Sequence, residues 1–425
     1  MSNARVFNKC VWRLIPFMML LYLVNYIDRV NVGFAALTMN HDLGFSPSIY
    51  GFGAGIFVFS YALFQLPANI WIERVGARRG MFVVLMAWGL ISAANAFVWS
   101  PASFYVLRFS LGVAEAGFFP GMILYMTCWF PKAYFARCIG IFQAANPLAF
   151  VLGGPLSSLI LGMDGVWSLH GWQWLFLFEG LPACLLAFVA YRILADGPAL
   201  APWLSDDEKA IVLSRLAVEG ATAHRNVGLA LRDWRVFGLG LAGAGIQFCA
   251  SGIQFWVPQI VQGKGFSNGI VGFIVALPFL FGTVAMILWG YSSDLRGERI
   301  WHIALAALFS AVGLIVASIS ESAFVMLAGL TAAIAGLFST LPVINSIPPS
   351  FLRGPAAAGG IALFNMIAQF GGFFGPVVMG VLKQNTGGYA AGLLSLALAI
   401  SLSALFVLGL GRAMSLRPAA TAVSV

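Results

Sequence analysis

Charge is what this sequence has least of. Asp, Glu, Lys and Arg together make up 9% of its 425 residues, against roughly 25% in soluble domains, which excludes an ordinary water-soluble globular chain. Cysteine is scarce as well. The five (Cys10, Cys128, Cys138, Cys184 and Cys249) are an odd number at irregular spacing, so they offer neither a disulfide frame nor a metal site and read as packing residues. The four histidines, His41, His170, His224 and His302, fall at the ends of apolar runs or between them. Within the runs there is no Cys/His/acid cluster and no nucleophile beside a base, which argues against an enzyme and calls for no cofactor. A small-residue cleavage site is also missing after Arg5, Lys9 and Arg13, so the first apolar run reads as a retained helix and not a signal peptide.

What the chain has in abundance is apolar length. It is 60% hydrophobic, with a mean hydropathy of +0.92, and runs long enough to cross the roughly 30 Å hydrocarbon core as helices recur throughout. There are twelve, at about 12–36, 47–70, 80–98, 102–129, 138–161, 173–194, 235–261, 269–291, 301–319, 323–346, 356–382 and 389–412. The predicted fold class is all-α and integral to a membrane. A formal charge of +8 would suggest nucleic acid in a soluble protein, but here its distribution decides. Nineteen Lys and Arg lie on one set of alternate loops, against Lys264 and Lys383 on the other. The positive-inside rule then places both termini in the cytoplasm and accounts for the basic charge with no nucleic-acid partner.

The longest polar connection, 195–232, separates two groups of six runs, giving expected domains of 1–194 and 233–425. Within it Ser205 precedes Glu208 by three residues, a capping box that opens a short amphipathic helix ending near Gly220. The halves also echo each other. Glu73 in "WIERVGARR" and Asp294 in "GYSSDLRGER" lie 221 positions apart, and so do the Gly154-Pro155 and Gly375-Pro376 pairs. Two landmarks at one period suggest a duplicated six-helix unit, and a midplane site between two such repeats is a common plan for alternating-access carriers.

Charges inside the runs are the most informative residues, because each costs roughly 2.5–3.5 kcal/mol at a helix centre. They are Asp28 and Arg29 in the first run, Arg108 and Glu115 in the fourth, and Glu179 in the sixth. Asp28 and Arg29 are consecutive and face neighbouring sectors of one helix. Arg108 and Glu115, seven apart, share a face with Gly112 between them, where a neighbouring helix or a ligand can approach closely. A carboxyl shielded from water favours its protonated form, and an arginine presents a planar fork that matches a carboxylate. Proton coupling with anion binding fits this set, and ion pairs that merely hold the first and fourth helices together are the structural alternative. Glu179 reads as structural or interfacial. Polar residues including Tyr26, Tyr61, Asn146 and Asn365 could line a cavity, although each alone is more often an interhelical hydrogen bond.

These stretches resemble a known family. "IERVGARR" is similar to the loop signature of the major facilitator superfamily, with Asn69 where many members have glycine, and "GYSSDLRGER" resembles its second-half copy. "NYIDRVNVGFAAL", "LPANIWIERVGARR", "RFSLGVAEAGFFPGMILYMTCWFP", "GWQWLFLFEGLPA" and "GGFFGPVVMG" together resemble the anion:cation symporter family within it. The resemblance implies twelve transmembrane helices in two pseudo-symmetric six-helix bundles and, in its prokaryotic members, import of organic anions with protons. It implies Asp28 and Glu115 as the proton-coupling acids and Arg29 and Arg108 as substrate-binding bases. Tyr26, Tyr61, Asn146 and Asn365 follow as polar contacts. Glu73, Arg74, Arg78 and Arg79, with Asp294, Arg296 and Arg299, would serve as latches. A monomer in the lipid bilayer of the bacterial inner membrane goes with the family.

The antiporter signature of the superfamily, Gly-Pro-x-x-Gly-Gly, is absent: Gly154-Pro155 runs on into Leu156, Ser157, Ser158 and Leu159, with Phe at position 150. That favours symport over export or exchange. For the cargo, "DRVNVGFAALTMNHDLGFSPSIYGFGAGIF" resembles tartrate-type members, which favours a small hydroxy acid or sugar acid over an aromatic carboxylate such as hydroxyphenylacetate or phthalate.

Overall fold

The structure, a computed structural model, describes residues 3–220, 233–348 and 355–415. Arg225, Arg232, Arg353 and Arg417, four of the nineteen basic residues on the cytoplasmic set of loops expected from the sequence, and His224 lie outside these. The helices are α1 (Asn3–Asp42), α2 (Pro47–Val75), α3 (Ala77–Ala94), α4 (Pro101–Glu115), α5 (Phe118–Thr127), α6 (Lys132–Gln143), α7 (Ala145–Leu161), α8 (Gly171–Ile193), α9 (Asp206–Gly220), α10 (Trp234–Gln262), α11 (Asn268–Arg296), α12 (Ile300–Ile319), α13 (Ala323–Asn345), α14 (Pro355–Thr386) and α15 (Ala390–Ser415). Twelve segments are long and apolar enough to cross a membrane, α4 with α5 and α6 with α7 each forming one of them. They match the twelve predicted runs one for one.

Local sequence explains the ends and breaks. Ser46 caps α2, its hydroxyl accepting from the Ile49 amide, with Pro47 at the first helical position; Ser100 caps α4 ahead of Pro101 in the same way. The fourth span is not one helix. It turns at Ala116–Gly117, directly after Glu115, before α5 resumes. The fifth begins six residues earlier than its apolar run suggests, at Lys132, because Pro131 supplies an extended residue before the first turn.

The chain divides into two compact units, Met1–Ala223 with Val257–Ala276, and His224–Trp256 with Leu277–Val425. The polar connection is therefore not the sole dividing line. The last turns of α10 and the first turns of α11 belong to the first unit, for visible reasons. Ser158 donates to the Asn268 carbonyl at 2.7 Å and accepts from the Gly272 amide at 2.8 Å. Gln262 donates to the Leu37 carbonyl at 3.1 Å. A Cβ at Gly272 would fall 1.8 Å from the Gly154 carbonyl oxygen, so backbones touch there and only glycine fits.

In the first unit α1 packs on α7 and α8, α2 on α4, and α3 on α8. Its interior holds Trp88, Trp129, Trp172 and Phe118, all buried. The amphipathic α9 docks on α1 through Lys9, which donates to Glu208 at 2.6 Å. Glu208 also closes the capping box, accepting from the Ser205 amide while its own amide donates to the Ser205 hydroxyl. In the second unit α12 packs on α13 and α15. There Gln247 donates to Gln369 at 2.9 Å, and Trp256 donates to the Pro376 carbonyl at 3.1 Å. The five cysteines are unpaired, and all except Cys128 are buried.

Candidate functional site

Four of the five intramembrane charges are fully buried or nearly so: Asp28, Arg108 and Glu115 are 0% exposed and Glu179 3%. The fifth, Arg29, has a side chain 11% exposed. All belong to the first unit. Asp28 and Arg29 do diverge around α1. Asp28 turns to α3, accepting from the Trp88 indole at 2.6 Å and from the Ser92 hydroxyl, and it accepts from Asn31 on its own helix at 2.9 Å. Arg29 turns to α4, where its Nε donates to Glu115 Oε2 at 2.7 Å, and Asn25 donates to the same oxygen at 3.0 Å.

One ion pair thus joins the first and fourth spans, as the structural alternative requires. Arg108 does not share in it. Its Nε and both terminal nitrogens are buried without a hydrogen-bond partner, and its guanidinium lies 4.6 Å from the centre of the Phe57 ring. Arg29 faces the same ring at 5.6 Å, with Tyr61 at 4.3 Å and Tyr26 at 5.2 Å. Cation–π contact lowers the cost of holding a guanidinium away from water, but it fills none of its donor positions. The arrangement is a fork of five N–H groups held against the face of the Phe57 ring. Its unmet demand is for an anion. The second oxygen of Glu115 is also without a partner.

Gly112 is filled by the neighbouring helix and not by open space. A Cβ there would fall 2.1 Å from the Ser60 hydroxyl and 2.4 Å from the Phe57 carbonyl oxygen. This contact brings α2, with Phe57 and Tyr61, up against the Arg108 face of α4. Glu179 lies inside the bundle, which corrects the interfacial reading: it accepts from Ser157 at 3.1 Å and keeps one oxygen unpartnered. Packing of α8 against both α1 and α7 buries it there.

Other predicted site residues fall elsewhere. Asn146 is half-buried on α7, and Asn365 is half-buried on α14 in the second unit. At the loop signature, the Arg78 amide donates to Asp196 at 2.8 Å, its Nε donates to the Tyr191 carbonyl, and its guanidinium lies 4.2 Å from the centre of the Tyr191 ring. In the second-half copy Arg299 pairs with Asp294 at 2.6 Å and donates to Ser293 at 2.9 Å. Glu73, Arg74, Arg79 and Arg296 are exposed.

Trp88, Ser92, Asn25 and Phe57 complete the site without having stood out in the sequence. Trp88 and Ser92 are four apart on one face of α3, a polar pair inside an apolar run. Asn25 stands in the same stretch as Asp28 and Arg29, and could have been found by its position. Phe57 gave no signal that separated it from thirty-six other phenylalanines.

Residues 18–376 match the family model of the Major Facilitator Superfamily. A protein of Agrobacterium vitis named "Putative tartrate transporter" is 45% identical over 96% of this chain and 92% of its own length. The "Quinolone resistance transporter" of Acinetobacter baumannii is 40% identical over 91% of both chains. Among solved structures, a bacterial homologue of the human lysosomal transporter Spinster, in an inward-facing and unoccupied conformation, is similar with a TM-score of 0.79 at 17% identity, covering 98% of this chain and 99% of that one. The twelve spans, the buried charges of the first unit, the family match along most of the chain and the structural likeness agree. The chain is a membrane transporter, not an enzyme, and belongs to the major facilitator superfamily.

Proposed function

We propose that this transporter imports a small organic anion together with protons, by alternating access between its two halves. The observation that carries the reading is Arg108, a permanently charged fork buried with every nitrogen unpartnered. An unspent guanidinium of this kind is strongly unfavourable unless an anion visits it. The charge tally supplies the coupling. Asp28, Glu115 and Glu179 against Arg29 and Arg108 leave one negative charge in excess when all are ionised. A dicarboxylate entering that cluster raises the repulsion unless protons come with it, and desolvated carboxyls are where protons go. Asp28 and Glu115 are the proposed proton carriers, Arg108 the carboxylate anchor, and Arg29 the base that releases Glu115 as it is protonated.

A tartrate-like hydroxy acid or a sugar acid is the favoured cargo, supported by the name of the Agrobacterium relative. The wall of Phe57, Tyr26 and Tyr61 is the one feature favouring an aromatic carboxylate. The Acinetobacter relative's name favours a different reading, a proton-driven exporter of a cationic or zwitterionic drug. Arg108 speaks against a purely cationic cargo, since an unpaired guanidinium repels a cation. In the proposed cycle the Arg78–Asp196 and Arg299–Asp294 contacts act as latches on the cytoplasmic face of a bacterial cell membrane, with both termini on that side and a monomer as the working unit.

The test is uptake into proteoliposomes under an inward proton gradient, screened over tartrate, galactonate, glucuronate, phthalate and hydroxyphenylacetate. Accumulation of one acid that rises with the gradient and disappears in Asp28→Asn is the expected result. Gradient-driven extrusion of a drug, with no acid accumulated, would establish the exporter instead.

A further inference from the structure

Away from the buried charges, the first unit carries a second basic site, of which the transport reading uses only the Arg78–Asp196 contact. A pocket of about 370 Å³ opens where α1, α3 and the end of α8 meet, lined by Arg13, Arg78, Arg192, Asp196, Leu200 and Trp203 among others. The three arginines come from positions far apart in the chain. Only Asp196 opposes them among the lining residues, and one of its oxygens is already taken by the Arg78 amide. Arg78 is fixed in place by the Tyr191 carbonyl and ring, and Trp203 is braced by Trp129, with ring centres 5.4 Å apart and planes 10° apart. The volume falls in the range of small-molecule pockets, roughly 300–1,000 Å³.

We infer that this pocket binds a phosphate group, presented by the headgroup of an anionic phospholipid. Guanidinium forks match phosphate oxygens in pairs. The surroundings favour a lipid as the bearer. Trp12, next to Arg13, is 78% exposed, and Leu200 on the pocket wall is 69% exposed, an aromatic and an aliphatic side chain of the kind that lies at headgroup level. The ligand would tie the start of the connecting segment (Leu200, Trp203) to α1, α3 and α8 within one unit. It is independent of what the transporter carries.

The test is thermal unfolding of the purified, delipidated protein with added phosphatidylglycerol, phosphatidylcholine, or inorganic phosphate alone. Wild type is compared with Arg13→Gln, Arg192→Gln and the double variant; Arg78 is left intact as part of the loop signature. Phosphatidylglycerol should raise the melting temperature by about 2–4 °C, and phosphatidylcholine should not. Each single variant should lose part of the shift and the double most of it, so the singles decide the matter if the double does not fold. Equal shifts from both lipids, or a full shift in both single variants, would overturn the site. A shift with inorganic phosphate as large as that with phosphatidylglycerol, lost in the variants, would keep the phosphate pocket and overturn the lipid as its occupant.

Discussion

Arg29 and Arg108 share the Phe57 ring but differ in what their nitrogens touch, and that difference can be measured. Arg29 is paired with Glu115, so Arg29→Gln strands a buried carboxylate and should destabilise the protein by about 3–5 kcal/mol. Glu115→Gln placed in the same chain should recover a large part of that loss, as read by thermal or denaturant unfolding of the four combinations. Arg108 has no protein partner to strand. Arg108→Lys keeps the charge and discards the planar fork, so folding yield should hold while the KM for the transported anion rises roughly tenfold or more. An unchanged KM would remove Arg108 from the binding site. The presence of these charges was legible in the sequence because charge is so rare inside its spans. Their pairing was not. Adjacent Asp28 and Arg29 choose partners on different helices, Trp88 with Ser92 and Glu115, a choice fixed by how α3 and α4 are rotated against α1 and therefore invisible to spacing along one helix.

Between elements, the sharpest constraint is the seam of α2 and α4. Gly112→Val would drive a side chain into Ser60 and the Phe57 carbonyl. It should cost about 1–3 kcal/mol in unfolding free energy and reduce transport by moving Phe57. Gly409, which has nothing within reach of a Cβ, is the matched control and should tolerate alanine. A second element-scale prediction concerns α9. The Lys9 ammonium, together with the Ser205 amide, holds the Glu208 carboxyl below its ordinary range. A lowered carboxyl stabilises the docked state above the unfolded value, near 4.3, and loses that stabilisation as pH falls through the folded one. Docking of α9 on α1 should therefore persist at neutral pH and weaken progressively below about pH 4. Hydrogen exchange of α9 amides across pH 3–6 reads this directly, and Glu208→Gln should abolish the dependence. The capping box that starts α9 was readable from Ser205 and Glu208. The break after Glu115 was not, because Ala116 and Gly117 sit inside an unbroken apolar run where composition shows only a span.

At the scale of the whole molecule, twelve spans were legible because bilayer thickness imposes a length that apolar runs must meet. The compact units were less so. The polar connection marks a boundary in composition, but the ends of α10 and α11 join the first unit through Gly154, Ser158 and Gly272, a contact between backbones that hydropathy does not record. The central claim is that one buried cluster binds an anion and the protons that neutralise it. The most direct measurement loads proteoliposomes with a pH-sensitive dye, adds the transported acid outside with no imposed gradient, and follows lumenal pH in wild type and Asp28→Asn. Wild type should acidify the lumen as it takes up the acid, and Asp28→Asn should show no acidification while exchange of labelled for unlabelled anion continues. Uptake by wild type with no change in lumenal pH, or acidification that survives in Asp28→Asn, would contradict that claim.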